Sequence, residues 1–162
     1  MTGVSSELLD KIESYVRRGA GDVFRTMISM GLKPVVGEIP PAIGSAVVVG
    51  SVGFAGKASG VVYMGVPESL AIEAASIMVG LSSDELDDDM VNDVIAELSN
   101  MVVGFVKSQL CDAGLTCVLT VPSVVRGDHM KVQKVSQSEK RSTLMSCGSH
   151  ILSFEIVLKS EC

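Results

Sequence analysis

The chain has no tryptophan, two tyrosines and four phenylalanines, so aromatic residues make up only 4% of it. Its core must therefore be built from Val, Ile, Leu, Met and Ala. Histidine is nearly as scarce. His129 and His150 are the only two, and neither has a Cys, His or Asp at metal-ligand spacing. The four cysteines, Cys111, Cys117, Cys147 and Cys162, form no C-x-x-C pair. They read as reduced thiols, with Cys111 a buried or half-buried thiol at a helix end, and not as a disulfide frame. A Gly-x-Ser-x-Gly elbow is missing too. Hydride-transfer, metal-dependent and covalent hydrolase chemistries all lack parts, and no cofactor site is expected in this chain.

Positive charge is also in deficit. Thirteen Lys and Arg against nineteen Asp and Glu leave a formal net charge of −6, which argues against nucleic acid as the main partner. No apolar run reaches the ~18–20 residues needed to cross a bilayer. The polar start Met1-Thr2-Gly3-Val4-Ser5-Ser6-Glu7 lacks the basic and apolar regions of a signal peptide. What is present in quantity is apolar: 47% hydrophobic residues and a mean hydropathy of +0.43 exclude a disordered chain. The expectation is a cytoplasmic, acidic, single domain over residues 1–162, long enough to bury a core.

Periodicity gives the order of elements. Leu8, Leu9, Ile12, Tyr15, Val16, Val23, Phe24, Met27 and Ile28 fit a first helix capped by Ser6 and running to about Met30, with Gly31 past its end. Gly19 and Gly21 weaken its middle and mark close packing against another helix. Strands are expected at Val35–Ile39 and Ala46–Phe54. A turn at Ala55-Gly56-Lys57 leads into a hairpin partner at Ser59–Gly65. Pro67 and Glu68 open a second helix that Gly80 ends. Ser82 and Glu85 spell a capping box, and the acidic run Asp84 to Asp89 leads into a third helix. Further strands are expected at Thr116–Val121, closed by Pro122, at Gly127–Val135 and at Ile151–Leu158, with Gln137 to Ser149 a polar loop or hairpin tip. This order predicts an α+β fold, a largely antiparallel sheet packed against long helices.

Three suggestive stretches have plainer explanations. Gly53-Phe54-Ala55-Gly56-Lys57-Ala58-Ser59 resembles a phosphate-binding loop, but Ser51 and Ala58 stand where that motif needs Gly and Ser or Thr. It reads as a hairpin turn. The acidic run lacks the sixth-position Gly and terminal Glu of a calcium loop and reads as carboxylates favoured by a helix amino terminus. Lys131, Lys134, Lys140 and Arg141 read as a solvated edge strand.

The most informative stretch is Asp93-Val94-Ile95-Ala96-Glu97-Leu98-Ser99-Asn100-Met101-Val102-Val103-Gly104. At about 100° per residue, Asp93, Glu97, Asn100, Gly104 and Ser108 share one narrow stripe, while Val94, Leu98, Met101, Val102 and Phe105 cluster opposite. The apolar side must be buried, so the stripe faces solvent or a partner. Glycine inside a helix costs about 1 kcal/mol relative to alanine, and Gly104 would let another surface approach the backbone. The stripe reads as a docking surface, with Asp93, Gly104 and Ser108 as partner-docking positions around the pair Glu97 and Asn100.

Four segments together resemble the CheC/CheX/FliY family of bacterial chemotaxis proteins, and its CheX branch most closely. Val52–Met64 is similar to the family's glycine-punctuated hairpin, and Pro67-Glu68 through Ile77-Met78-Val79-Gly80 to the helix after it. Asp93–Gly104, with Lys107 and Leu110, resembles the family's E-x-x-N signature helix, and Pro122–Gly127 the Pro and Gly spacing that follows. Val23-Phe24-Arg25-Thr26-Met27 resembles part of the first helix. The resemblance implies a phosphatase acting on the phospho-aspartate of a CheY-like receiver domain, and a homodimer. In that family the signature Glu contacts the receiver's lysine and the signature Asn orients the attacking water. These roles fall on Glu97 and Asn100, with Mg²⁺ supplied by the receiver. Some relatives carry two signature helices. Here the first helix has Tyr15 and Arg18 at the corresponding positions, so one site per chain is expected. The alternative is a non-catalytic adaptor that grips a receiver or a flagellar-switch component through the same helix face.

Overall fold

A computed structural model describes residues 3–36, 46–128, 130, 132–133 and 137–159. Its helices are α1 (Gly3–Ile28), α2 (Glu68–Val79) and α3 (Asp88–Asp112). Its strands are β1 (Lys33–Pro34), β2 (Val47–Gly56), β3 (Gly60–Pro67), β4 (Cys117–Leu119), β5 (Ser123–Gly127), β6 (Ser138–Cys147) and β7 (His150–Lys159). The strands form one sheet in the order β1-β6-β7-β3-β2-β4, with β5 also paired to β2, and every pairing is antiparallel. The fold is α+β, as the element order predicts.

Alternation decides which face of the sheet the helices cover. Val48 and Val52 on β2, Val62, Met64 and Val66 on β3, and Leu152, Phe154, Ile156 and Leu158 on β7 are all buried. The register places Val48 opposite Val66, Val62 opposite Ile156 and Met64 opposite Phe154, so these side chains line one surface. Leu9, Ile12, Val16, Phe24 and Ile28 of α1, Leu70 and Ala74 of α2, and Val91, Ile95, Leu98, Val102, Val106 and Leu110 of α3 complete the same core. Among the described residues no helix is long and apolar enough to cross a membrane.

Several boundaries differ from expectation. Helix α1 begins at Gly3, so Ser6 lies inside it and does not cap it. It ends at Ile28, where Ser29 turns left-handed with φ 56° in place of the expected Gly31. The strand near the expected Val35–Ile39 lies earlier, at Lys33–Pro34, and Val35 and Val36 are not part of it. Val35 still donates its N–H to the Leu144 carbonyl at 3.1 Å, but Val36 is 92% exposed and has no face to bury; residues 37–39 lie outside the described residues. The β2–β3 hairpin pairs Val47 with Pro67 through Phe54 with Gly60. The glycine-rich stretch is therefore a hairpin end with a strand after it.

The second half carries two larger corrections. The strand expected at Gly127–Val135 lies earlier, at Ser123–Gly127, where Val124 pairs with Gly50 and Arg126 with Val48. Pro122, lacking an N–H, precedes that strand's start. Asp128, Met130, Val132 and Gln133 are not in a strand, and positions 129, 131, 134 and 135 lie outside the described residues. The expected loop Gln137 to Ser149 is mostly the ten-residue strand β6, paired along its length with β7. Its composition is polar, yet Thr143, Met145 and Cys147 alternate into the core. Nor is its basic end merely solvated. The Arg141 guanidinium bonds Asp10 at 2.5 Å and Glu13 at 3.0 Å, tying β6 to α1. Lys140 donates to the Val132 carbonyl at 2.7 Å and lies 3.5 Å from the Glu155 carboxylate.

Candidate functional site

Local chemistry fixes where α3 starts. The Asp87 carboxylate accepts the Met90 N–H at 2.8 Å and caps the helix, and Asp88 and Asp89 occupy its first turn. These carboxylates meet the positive end of the helix dipole, which stabilises each by roughly 0.3–1 kcal/mol. The Ser82–Glu85 capping box closes a separate 3-10 turn at Ser83–Glu85. Hydrogen bonds from the Ser82 hydroxyl and N–H hold the Glu85 carboxyl below its ordinary pKa. Arg126 of β5 then clamps the first turns. Its Nε donates to Asn92 Oδ1 at 2.8 Å, and its terminal nitrogens reach Glu68 of α2 at 3.3 Å and Asp88 at 3.7 Å.

The buried face of α3 comes unusually close to the sheet at Ser99, which is 2% exposed. A Cβ on Gly50 would overlap Ser99 Oγ and lie 3.2 Å from Ile95 Cγ2. Only a glycine on β2 allows this approach. Ser99 Oγ is itself buried without a hydrogen-bond partner among the described residues.

Opposite this face lies the predicted stripe. Asp93, Glu97 and Ser108 are exposed, and Asn100 and Gly104 are half-buried. Neither Glu97 nor Asn100 spends its side chain on a hydrogen bond or ion pair with another described residue. A Cβ on Gly104 would meet no heavy atom within 4 Å, so the helix backbone there is open. The stripe can thus present one carboxylate and one carboxamide to an incoming surface, with free approach one turn beyond the amide.

Phe105 is not the core residue its place on the helix wheel implies. It is half-buried, and its ring lies against α1 at Gly19, where a Cβ would come within 2.9 Å of Phe105 Cδ1. Gly19 therefore serves helix packing as expected, whereas Gly21 faces open space. The Arg18 guanidinium sits over the same ring, 5.5 Å from its centroid. Sequence periodicity does not show this pairing, because it joins residues more than eighty positions apart; the mid-helix Gly19 is its one visible trace.

Chemistry that would compete with this site is sparse. Among the described residues no group of three or more His, Cys, Asp or Glu could hold a metal ion. Cys117 and Cys147 are buried free thiols, and burial is the main cause that pushes both pKa values above the ordinary 9.0. Cys111, at the end of α3, is half-buried.

Known proteins share this fold. The family described as chemotaxis phosphatase CheX matches residues 48–145, well over half of the chain, including all of α3. The crystal structure of the chemotaxis protein CheX from Vibrio vulnificus superposes with a TM-score of 0.78 at 26% identity, over 91% of this chain and 96% of that one. A CheC-like superfamily protein from Shewanella sp. PV-4 gives 0.78 at 26% identity, over 92% and 97%. CheX in the CheX–CheY–BeF3–Mg²⁺ complex from Borrelia burgdorferi shares the fold, with a TM-score of 0.69 at 23% identity over 91% and 97%. No curated protein sequence matches significantly. On the family match and the shared fold, the chain belongs to the CheX chemotaxis phosphatase family.

Proposed function

We propose that this protein hydrolyses the phospho-aspartate of a CheY-like receiver domain, with Glu97 and Asn100 as its catalytic pair. The observation that carries the reading is the stripe on α3. Glu97 is exposed, Asn100 is half-buried, and neither is committed to an intramolecular partner among the described residues. The Glu97 carboxylate pairs with a lysine on the docked receiver. The Asn100 carboxamide holds a water in line with the acyl phosphate. Water oxygen attacks phosphorus, the bond from phosphorus to the aspartyl oxygen breaks, and aspartate and inorganic phosphate leave. The receiver supplies Mg²⁺ and the phosphoryl group, so this chain contributes positioning and electrostatics. Asp93, Gly104 and Ser108 form the docking surface around the pair. The presence in a related CheX–CheY–BeF3–Mg²⁺ complex of a receiver partner supports this choice of substrate class.

The test is phosphate release from a phosphorylated receiver, with wild type beside Glu97→Ala/Asn100→Ala. Acceleration by wild type alone is expected. Binding without acceleration would favour the non-catalytic adaptor. Homodimer formation belongs to the same proposal. Val118 at 65% and Val125 at 52% exposure leave apolar surface on β4 and β5, at one end of the sheet. Gel filtration at two concentrations reads the assembly state.

A further inference from the structure

The chain has five arginines, and four are held by carboxylates: Arg17 by Glu13, Arg25 by Asp22, Arg126 by Glu68 and Asp88, and Arg141 by Asp10 and Glu13. Arg18 is the exception. It is exposed, no carboxylate among the described residues pairs with it, and its guanidinium lies over the Phe105 ring at 5.5 Å. The ring is in turn seated on the bare backbone of Gly19. At about 100° per residue Phe105 stands about 60° round the helix from Ser108 and 80° from Glu97, so this packing sets a free guanidinium on the flank of α3 beside the stripe. The stripe carries the exposed carboxylates Asp93 and Glu97, with Asp88 and Asp89 in the first turn above them, against a single half-buried cation, Lys107, so acid is in excess along it. A surface of that sign repels a phosphorylated receiver, whose site combines a phosphoryl group with the carboxylates that hold Mg²⁺. A cation on this flank offsets that repulsion at first encounter.

We infer that Arg18 is a docking and specificity residue that attracts the acidic rim of the receiver's phosphorylation site, resting on the receiver-phosphatase reading above. Arginine suits the task because its planar guanidinium stacks on an aromatic ring while its edge N–H groups stay free for carboxylate or phosphate oxygens. Arg18 touches neither the acyl phosphate nor the water, so it acts on association and leaves the chemical step alone.

The test compares wild type, Arg18→Lys, Arg18→Ala and Arg18→Glu. Two readouts are taken: binding of a receiver held in its activated form by beryllofluoride and Mg²⁺, and steady-state phosphate release across a salt series. Arg18→Ala is expected to raise Kd and KM roughly threefold and Arg18→Glu roughly tenfold. The value of kcat stays within twofold, Arg18→Lys falls between wild type and Ala, and the salt dependence of association flattens in the Ala variant. Unchanged melting temperatures separate these effects from folding. Equal Kd, KM and salt dependence in wild type and Arg18→Glu would overturn the inference, as would a loss confined to kcat. If wild type binds but releases no phosphate, the catalytic reading fails while the binding series still decides the role of Arg18. If wild type binds no activated receiver, both readings fail.

Discussion

Ser99 of α3 and Gly50 of β2 pack so closely that a methyl group on Gly50 would overlap the serine hydroxyl. Ser99 precedes Asn100, so this contact sets the distance between the sheet and the turn of helix that carries the proposed catalytic amide. Gly50→Ala is predicted to cost about 1–3 kcal/mol, the usual range for overpacking a core, and to lower the denaturant midpoint. Ser99→Ala removes a buried hydroxyl without a partner among the described residues and should raise the midpoint slightly. The pair combined should lose less than the sum of the two single changes; strict additivity would show that the contact is slack.

Gly104 separates stability from docking. Its Cβ would point into open space, so Gly104→Ala should stabilise α3 by about 1 kcal/mol through helix propensity, read as a higher melting temperature. Gly104→Leu should fold equally well yet lose receiver binding, because its side chain fills the approach. Retention of full affinity by the leucine variant would remove Gly104 from the docking surface.

The stripe on α3 was legible in the sequence because a core face written in Val, Ile and Leu leaves its polar complement unambiguous. Buried Val91, Val94, Ile95, Leu98 and Val102 lie where helical spacing puts them. Strand β6 was illegible for the opposite reason: of its buried positions Ser138, Thr143, Met145 and Cys147, two are polar, and the run Ser138 to Thr143 has no apolar residue, so alternation carried little contrast in hydropathy. β5 was displaced because Pro122 reads equally as an end or a beginning. Only its register on β2, a tertiary fact, decides between them. The Arg18–Phe105 stack and the Arg126–Asn92 clamp are likewise products of tertiary packing.

The cysteines predict a pH response with a definite sign. Burial raises the Cys117 and Cys147 pKa values above 9.0, so the folded chain keeps thiol protons that the unfolded chain has released. Their contribution to stability is complete below pH 9.0 and is lost as pH rises through the elevated values. Urea midpoints measured from pH 8 upward should fall on the alkaline side, and Cys117→Ala/Cys147→Ala should flatten that fall. In native protein at neutral pH, a thiol reagent followed by peptide mapping should leave both residues unlabelled until the chain unfolds. Rapid native labelling of Cys147 would contradict its burial.

The central claim is that Asn100 orients water for phospho-aspartate hydrolysis on a surface that binds the receiver by other contacts. The most direct measurement pairs single-turnover phosphate release with binding of the beryllofluoride-activated receiver, for wild type and Asn100→Ala. Loss of an interaction made only in the transition state lowers kcat and spares ground-state affinity. The account predicts at least a hundredfold loss of acceleration, on the order of 3 kcal/mol of transition-state stabilisation, with Kd within about threefold of wild type. Unchanged release by Asn100→Ala, beside a wild type that accelerates it, would contradict the assignment.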